Sequence, residues 1–306
     1  FDVSVSEMFV ALHNGGELHI LPEYLRTDIL GLSSYLVVKK INYSYLPPIL
    51  LSVLPRIKYP DLKAIIYAGE PCDEETGLYW SREVKLFNYY GPTESSIYTL
   101  GKHVVEGDVN LIGKPLFNHH AYVLDGGLSV LPVGAVGELY IGGAGLARGY
   151  LNLPELTKER FMVNPFINRL TDPNVSAYTD MPMNINNSKS NNKSDDVANN
   201  QRLYKTGDLV RYLPDGNIEY LGRSDFQVKI RGYRIEVSEI EFVLNSYSGI
   251  TQCVVVALER KNSNSMKYLV AYYVASSKIS ENDILGYLAT KLPEYMFPSA
   301  FVYLDK

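Results

Sequence analysis

Cysteine is scarce in this sequence, whose 306 residues include only Cys72 and Cys253, far apart along the chain. Two thiols are too few for a metal site, and their wide separation favours buried thiols in a reducing cytoplasm over a disulfide. Long apolar runs are absent too: none approaches the roughly 18 residues of a membrane span, and no signal peptide heads the chain. We therefore expect a cytoplasmic protein with no membrane partner.

An excess of either charge is also missing. Acids and bases are intermixed and the formal net charge is −5, so the sequence offers neither a nucleic-acid surface nor a polybasic membrane patch. What the sequence does have is 46% apolar residues, enough for a large core, and a length that allows one to three domains. We expect no nucleic-acid partner.

Helices and short apolar strands alternate over the first 90 residues. Apolar spacing predicts helices over Ser4–His13 and Leu30–Ile41, and Pro47-Pro48 predicts the start of a third helix that ends at about Leu54, because proline is tolerated in a first helical turn. Strands are predicted at Glu17–Leu21, Tyr43–Leu46, Leu62–Ala68 and Val84–Tyr89. This alternation predicts an α/β fold with an open parallel sheet that binds ligands at the carboxyl ends of its strands.

The pattern changes in the middle of the chain. Short alternating strands at His120–Leu124, Leu128–Pro132 and Glu138–Ile141 predict a small antiparallel sheet or distorted barrel, and Leu153–Phe161 predicts a helix. Residues from about 168 to 200 are rich in Asn, Ser, Lys and Asp and have too few apolar side chains to offset the entropy of ordering. We interpret them as a disordered surface insertion, with a functional binding segment as the alternative.

The last third begins with a hairpin and ends in a small α+β domain. Leu209–Leu213 and Asn217–Leu221 flank an Asp-Gly turn, so Asp208 and Tyr220 are expected on paired strands. The elements predicted beyond this hairpin are a helix with a capping box (Ser238, Glu241), strands Thr251–Leu258 and Lys267–Ala275, a helix capped by Ser280 and Asp283, and a strand Phe301–Leu304. We expect a partial core subdomain over residues 1–224 and a truncated small lid over 225–306.

Five motifs together resemble the adenylation domains of nonribosomal peptide synthetases, which are members of the adenylate-forming enzyme superfamily. They follow the family's order, with family-like gaps apart from the insertion, at Phe1–Glu7, Asn88–Glu94, Gly137–Tyr150, Tyr204–Asp208 and Gly222–Glu236. The resemblance implies a partial large subdomain, with a parallel sheet, helices and a small barrel-like sheet, followed by an α+β lid.

The resemblance also implies a two-step reaction. A carboxylic acid attacks the α-phosphate of ATP to give an acyl-adenylate and pyrophosphate, and the phosphopantetheine thiol of a peptidyl carrier protein then attacks the adenylate. Such chemistry depends on positioning and charge neutralisation. The implied cofactors are ATP and Mg²⁺, and the implied partners are an amino acid, the carrier domain and neighbouring modules such as a condensation domain.

Several residues match nucleotide-binding positions of that family. Asp208 is implied to accept hydrogen bonds from ribose hydroxyls, with a turn-capping aspartate as the alternative. Tyr90 and Tyr220 match aromatic residues that pack on adenine. Arg223 matches a guanidinium for ribose and phosphate, with a surface salt bridge as the alternative. The remaining implied nucleotide-binding residues are Gly69, Glu70 and Asn88.

Thr93 and Glu94, with Arg223, are the implied catalytic residues. A hydroxyl at Thr93 can hold a phosphate oxygen, and the Glu94 carboxylate can hold Mg²⁺, whose remaining ligands are phosphate and water oxygens. A helix-starting Thr with a first-turn Glu is compatible with these roles, because the amino end of a helix also favours anions.

Asp2 matches an aspartate that pairs with a substrate α-ammonium group, which implies an α-amino acid substrate. The alternative for Asp2 is an N-cap of the first helix. The implied pocket lining is Asp2, Val3, Ser6, Tyr45, Ile66, Ala68, Tyr89, Ile97 and Tyr98. Apart from Asp2 none of these carries a formal charge, and the lining resembles proline-type pockets. We expect proline, a related imino acid or another neutral residue as the substrate.

Asp225 matches the hinge about which the lid of the family swings, and Gly232 matches the loop that admits the thiol arm. Two parts of the family's active site are not in the sequence. In the family, a phosphate-binding loop precedes the motif that begins here at Phe1. The family also has a catalytic lysine near this end of the chain, but Lys306 lacks the surrounding residues of that lysine. We expect an excised piece that is inactive alone.

Two other functions remain open. An acyl- or aryl-CoA ligase of the same fold would release its product onto free coenzyme A, and Asp2 argues against it. A non-catalytic scaffold module would not bind ATP, and the intact residues Asp208, Arg223 and Glu94 argue against that.

Overall fold

The computed structural model describes residues 2–106, 108–166, 202–230, 233–259 and 267–305. The predicted insertion at about 168–200 and the predicted thiol-arm residue Gly232 lie outside the described residues. The described chain divides into two compact units. The first contains the described residues within Phe1–Leu21, Phe87–His103 and Asn110–Gly222. The second contains those within Pro22–Leu86, Val104–Val109 and Arg223–Lys306.

The described helices are α1 (Val3–His13), α2 (Ile29–Val38), α3 (Pro48–Val53), α4 (Glu74–Glu83), α5 (Pro154–Arg160), α6 (Val237–Asn245) and α7 (Glu281–Leu288). Asp28 and Asp73 cap α2 and α4 by accepting hydrogen bonds of 2.9 and 2.8 Å from the backbone N–H groups of Gly31 and Thr76. Prolines open α3 and α5, where a missing N–H breaks no helical hydrogen bond. None of these helices combines the length and the apolar character needed to traverse a bilayer.

The described strands are β1 (Tyr43–Tyr45), β2 (Ala64–Ala68), β3 (Lys85–Tyr90), β4 (Leu100–Val104), β5 (Leu111–Pro115), β6 (His119–Leu124), β7 (Gly137–Gly143), β8 (Phe161–Val163), β9 (Arg202–Tyr212), β10 (Ile218–Arg223), β11 (Val228–Ile230), β12 (Tyr233–Ile235), β13 (Ile250–Glu259), β14 (Lys267–Ala275) and β15 (Ala300–Leu304).

In the first unit the strands lie side by side in the order β3-β4-β5-β10-β9-β7-β6, with β8 also paired to β9. β7 is antiparallel to both β6 and β9, and Ile141 lies opposite Tyr204. Leu100, Leu139 and Ile218 are fully buried together with these two residues. This core includes residues of β3 and β9, the strands that carry Tyr90 and Asp208.

In the second unit β1 and β2 are parallel, with Tyr43 opposite Ala64. The Trp80 side chain of α4 is fully buried, and its indole N–H donates a 2.9 Å hydrogen bond to the carbonyl oxygen of Leu51 in α3. The buried indole donor is therefore satisfied.

The carboxyl-terminal part of the second unit contains the sheet β13-β14-β15 and the hairpin β11-β12. β13 and β14 are antiparallel, whereas β14 and β15 are parallel. Ile240 and Leu244 of α6 pack in one core with Ile284 and Leu288 of α7, all at most 1% exposed. The predicted α/β class and its small carboxyl-terminal sheet are confirmed, while the division at residue 224 stays a prediction.

Two predicted strands are wrong. Residues 17–21 form no strand, and Ile20 is 82% exposed. Within Leu128–Pro132 the structure has only an isolated bridge between Val130 and Leu124. Alternation of apolar and polar residues describes a half-buried strand, but a strand also needs a neighbour that supplies its hydrogen bonds.

The predicted capping box is also wrong. Glu236 occupies the N-cap position of α6, so Ser238 lies inside the helix. The Glu241 carboxylate instead accepts a 2.8 Å hydrogen bond from the backbone N–H of Val255. Ser280 does occupy the N-cap position of α7, but its side chain makes no capping hydrogen bond.

Candidate active site

Asp208 is buried, and both its side chain and its backbone N–H make hydrogen bonds. It is 4% exposed and accepts a hydrogen bond from the phenol of Tyr90 at the end of β3. Its backbone N–H donates to Thr206 Oγ1 at 3.0 Å, and that hydroxyl donates to the carbonyl oxygen of Leu139 at 2.7 Å. Asp208 lies inside β9 and not in a turn, so the turn-capping alternative is wrong.

Gly207 gives the backbone the conformation that places the Asp208 side chain in the buried site. Its φ is +80°, a value that side chains disfavour, and its N–H donates a 3.0 Å hydrogen bond to Glu138 Oε1. The register between β7 and β9 shifts between Glu138 and Tyr140, opposite this point. A local irregularity of this kind re-aims a side chain at the edge of a site.

Tyr90 remains a hydrogen-bond donor throughout the ordinary pH range. Burial raises the pKa of its phenol well above the ordinary value, and the charge of Asp208 raises it further, with a smaller contribution from Tyr220. The structure thus brings together three predicted nucleotide-binding residues of the first unit. A fourth, Asn88, is buried on β3 and donates from its side-chain amide to the carbonyl oxygen of Leu111 at 3.0 Å.

Asp2 and Thr93 contact each other directly. Thr93 begins a 3₁₀ turn, Thr93–Ser95, and its hydroxyl donates a 2.7 Å hydrogen bond to Asp2 Oδ2. Asp2 occupies the N-cap position of α1, yet its side chain makes no capping hydrogen bond. The predicted ammonium partner and the predicted phosphate ligand therefore lie side by side, and the side-chain N-cap alternative is not formed.

Glu94 receives a short hydrogen bond from a residue that the sequence reasoning did not single out. The phenol of Tyr150 donates to Glu94 Oε1 at 2.6 Å, and the Tyr204 hydroxyl lies 3.3 Å from that of Tyr150. Among the residues that the structure describes, no group of three or more His, Cys, Asp or Glu side chains could hold a metal ion. One carboxylate oxygen fits Mg²⁺ when the remaining ligands are phosphate and water oxygens.

The predicted pocket residues of the first unit include two neighbouring rings and a strained backbone. Tyr89 and Tyr98 lie 5.0 Å apart between ring centroids, and Ile97 has φ of +75°. A β-branched residue in that conformation costs on the order of 1–3 kcal/mol and is usually held by surrounding structure. Val3 is buried and Ser6 is partly buried, both on α1.

The predicted site residues of the second unit lie on β1 and β2. Tyr45 is paired with Ile66 across the two strands, and its hydroxyl donates a 3.2 Å hydrogen bond to the carbonyl oxygen of Ala68. Gly69 and Glu70, two of the implied nucleotide-binding residues, follow directly after β2.

Arg223 and Asp225 form a two-pronged ion pair. Arg223 Nε lies 2.7 Å from Asp225 Oδ1, and Nη2 lies 2.8 Å from Oδ2. The Arg223 side chain is 10% exposed and that of Asp225 31%, so the salt bridge considered as the alternative does form, as a partly buried pair, and the nucleotide role of Arg223 stays a prediction. The predicted guanidinium and the predicted hinge residue are thus joined.

The chain is similar to known proteins along its whole length. A family model described as AMP-binding enzyme matches residues 1–151. Over 100% of this chain, tyrocidine synthase 1 of Brevibacillus parabrevis is 38% identical and bacitracin synthase 3 of Bacillus licheniformis is 40% identical. Residues 1–151, about half of the chain, therefore match the AMP-binding enzyme family. The chain spans only 26% and 4% of those two relatives.

Two solved structures are also similar to this chain. A four-domain nonribosomal peptide synthetase bound to AMP and glycine is 34% identical, with a TM-score of 0.60 over 100% of this chain and 21% of its own. An NRPS protein containing adenylation and PCP domains is 25% identical, with a TM-score of 0.74 over 100% of this chain and 56% of its own. The resemblance inferred from the five motifs is confirmed.

Sequence reasoning missed Tyr150 and Tyr204. Both lie within motifs that carry the resemblance, but neither was given a role. The two tyrosines lie 54 residues apart, and Tyr150 lies 56 residues from Glu94. With 25 tyrosines in the chain, position inside a motif was the only available signal.

Proposed function

We propose that the protein containing this chain activates an amino acid in the cytoplasm as its aminoacyl-adenylate and passes it to the phosphopantetheine thiol of a carrier protein. The observation that carries the proposal is the buried Tyr90–Asp208 pair in the same compact unit as Asp2, Thr93 and Glu94. The relative bound to AMP and glycine supports a nucleotide and an amino acid as ligands.

Nucleotide binding is proposed to centre on Asp208. Its carboxylate can accept the two ribose hydroxyls as a bidentate acceptor, and the hydrogen bond from Tyr90 holds it in place. The rings of Tyr90 and Tyr220 offer aromatic surface for adenine. Glu94 would hold Mg²⁺, which when bound supplies neutralisation of phosphate charge.

Recognition of the amino acid is proposed to depend on Asp2. A partly buried carboxylate held by the Thr93 hydroxyl can exchange that neutral donor for a substrate ammonium group, which is the stronger, charge-assisted partner. The other proposed lining residues carry no charge, which supports a neutral substrate such as proline or a related imino acid.

Transfer to the carrier thiol is proposed to need rotation at Asp225 and the loop at Gly232. The solved relative that contains adenylation and PCP domains supports a carrier partner. Other modules, such as a condensation domain, are proposed neighbours in a multi-module synthetase.

ATP–pyrophosphate exchange tests the proposal on the intact protein, with each proteinogenic amino acid and a set of imino acids. We expect exchange with one or a few neutral amino acids, and loss of exchange in Asp208→Ala. Release of an acyl-CoA product would establish a CoA ligase instead. Absence of ATP binding in calorimetry would establish a scaffold module.

A further inference from the structure

The glycine-rich motif Gly137–Tyr150 carries part of the family resemblance, but no role in the chemistry has been assigned to it. Its last residue, Tyr150, donates a 2.6 Å hydrogen bond to Glu94 Oε1. A phenol–carboxylate hydrogen bond of this length belongs to the strong, charge-assisted class. It fixes one oxygen of Glu94 and therefore the plane of the whole carboxylate.

The backbone of the same loop holds the turn that carries Glu94. The N–H of Ala147 donates to the carbonyl oxygen of Glu94 at 2.8 Å, and Ser96 Oγ donates to the carbonyl oxygen of Gly145 at 2.7 Å. A Cβ at Gly145 would lie 2.5 Å from His119 Nε2 and 3.0 Å from the carbonyl oxygen of Ser95, so a larger residue would crowd both the His119 ring and the turn. The loop and the turn are thus joined at three points, counting the Tyr150 side chain.

The loop is itself anchored to β9. The Arg202 guanidinium donates hydrogen bonds to the carbonyl oxygens of Ala147 and Arg148 at 2.9 and 3.0 Å. The backbone N–H of Tyr150 donates to Thr157 Oγ1 at 2.9 Å. Tyr150 therefore extends from a fixed backbone.

The Tyr150 ring is fixed as well. It packs edge-on against Phe161, with ring centroids 5.7 Å apart, and its hydroxyl lies 3.3 Å from that of the fully buried Tyr204. Since the single phenolic proton of Tyr150 goes to Glu94, Tyr204 is the donor between the two phenols.

We infer that Tyr150 is a positioning residue, which orients the Glu94 carboxylate for the divalent cation that accompanies ATP, and that Tyr204 supports it. The inference rests on the proposed function of Glu94. Groups that orient a metal-binding carboxylate typically change metal affinity about 10- to 100-fold when removed. Tyr150 acts through Glu94 and is not assigned a contact with substrate.

The test measures Mn²⁺ binding to the intact protein, by electron paramagnetic resonance, in the presence of a non-hydrolysable ATP analogue. Tyr150→Phe keeps the ring and removes the hydroxyl, and we expect it to weaken Mn²⁺ binding roughly 10-fold. The matched control is Tyr212→Phe, which removes a hydroxyl that donates 2.7 Å to the carbonyl oxygen of Ala121, and should leave Mn²⁺ affinity unchanged. Tyr204→Phe should also weaken Mn²⁺ binding, by about 2- to 3-fold. It serves as the test variant if Tyr150→Phe does not fold.

A double-mutant cycle separates this inference from the proposed function. Glu94→Gln should weaken Mn²⁺ binding, and adding Tyr150→Phe to it should weaken binding no further, because Tyr150 acts only through the carboxylate. An additional loss in the Glu94→Gln background would overturn the inference. So would normal Mn²⁺ affinity in both Tyr150→Phe and Tyr204→Phe while Glu94→Gln is impaired. Normal affinity in Glu94→Gln itself would overturn the metal role proposed for Glu94.

Discussion

The phenol of Tyr90 donates a hydrogen bond to the carboxylate of Asp208, although the two residues lie 118 positions apart in the sequence. The bond joins the end of β3 to the middle of β9, and both side chains are buried. A buried carboxylate needs such a donor, since an ionised group without partners is costly in a dry interior. The same bond presents the carboxylate in one fixed orientation.

Tyr90→Phe should therefore destabilise the protein. The variant keeps the ring but leaves the buried carboxylate without one of its donors, and we expect the free energy of unfolding to fall by about 1–3 kcal/mol. Urea unfolding measures the change. Tyr212→Phe is the control, because its hydroxyl donates to a neutral carbonyl oxygen and its loss should cost only about 1 kcal/mol. An equal or larger loss in the control would contradict the argument.

Asp2→Asn should impair amino acid binding more than ATP binding. The amide can still accept the hydrogen bond from Thr93, so the local structure is kept, but the charge that would meet an ammonium group is lost. We expect the KM for the amino acid to rise roughly 10- to 100-fold, the range for a lost charge-assisted hydrogen bond. ATP–pyrophosphate exchange measures both constants.

The control for Asp2→Asn is the same substitution at Asp125, whose carboxylate accepts hydrogen bonds from the N–H groups of Gly127 and Ser129 in a turn. Its KM values should match those of the parent. If Asp2→Asn raises the KM for ATP as much as that for the amino acid, Asp2 is not the ammonium partner.

Helices and strands were predicted well where neighbouring residues in the sequence determine them. The helix expected from Pro47 and Pro48 begins at Pro48, and the strand expected at Lys267–Ala275 has those bounds. In both places the signal is local, because proline favours a helix start and a run of nine alternating residues favours a strand wherever a neighbouring strand can pair with it. The Asp-Gly hairpin likewise places β9 beside β10.

Contacts between distant residues could not be predicted in the same way. The spacing of Ser238 and Glu241 is that of a capping box, yet Glu241 bonds to the N–H of Val255 on a neighbouring strand. The hydrogen bond of Tyr150 to Glu94 has no local sequence signal either. Such hydrogen bonds depend on which distant residues the fold brings into contact, and a single sequence does not show those contacts.

Stability should fall in alkali because of buried tyrosines. Burial raises the pKa of Tyr212 to about 12, from the ordinary 10.0. Between pH 10 and about 12 the unfolded chain releases this proton and the native protein keeps it, so the stabilisation is fully present below pH 10 and declines above it. We expect a decline of up to about 1.4 kcal/mol per pH unit from this group. Urea midpoints between pH 8 and 12 measure it, and Tyr212→Phe should show a shallower decline.

The two cysteines should react slowly in the native protein. Both are free and buried, and burial raises the pKa of Cys72 to about 12 and that of Cys253 to about 11. Since the thiolate is the reactive form, alkylation by iodoacetamide at pH 8 should be slower than in the unfolded protein by roughly 100-fold at Cys253 and roughly 1,000-fold at Cys72. Mass spectrometry of the peptides that contain each cysteine measures the rates. Equal rates in native and denatured protein would show that the thiols are exposed.

Asp225→Pro should separate the two half-reactions. Proline fixes one backbone rotation, so a hinge at this residue would no longer reach the pose for thiol transfer, whereas adenylate formation needs no such rotation. We expect exchange to stay within about 3-fold of the parent and transfer to a carrier thiol to fall on the order of 10-fold or more. Pyrophosphate exchange and radiolabel loading of the carrier protein measure the two steps.

Asp225→Asn is the matched control for this prediction, because proline also removes the carboxylate that pairs with Arg223. Asparagine removes the charge of the pair and leaves the backbone free to rotate. If Asp225 acts as a pivot, the asparagine variant should load the carrier protein at nearly the parental rate. If both variants lose transfer equally, the ion pair with Arg223 matters and backbone rotation does not, because the only change that the two variants share is the loss of the carboxylate.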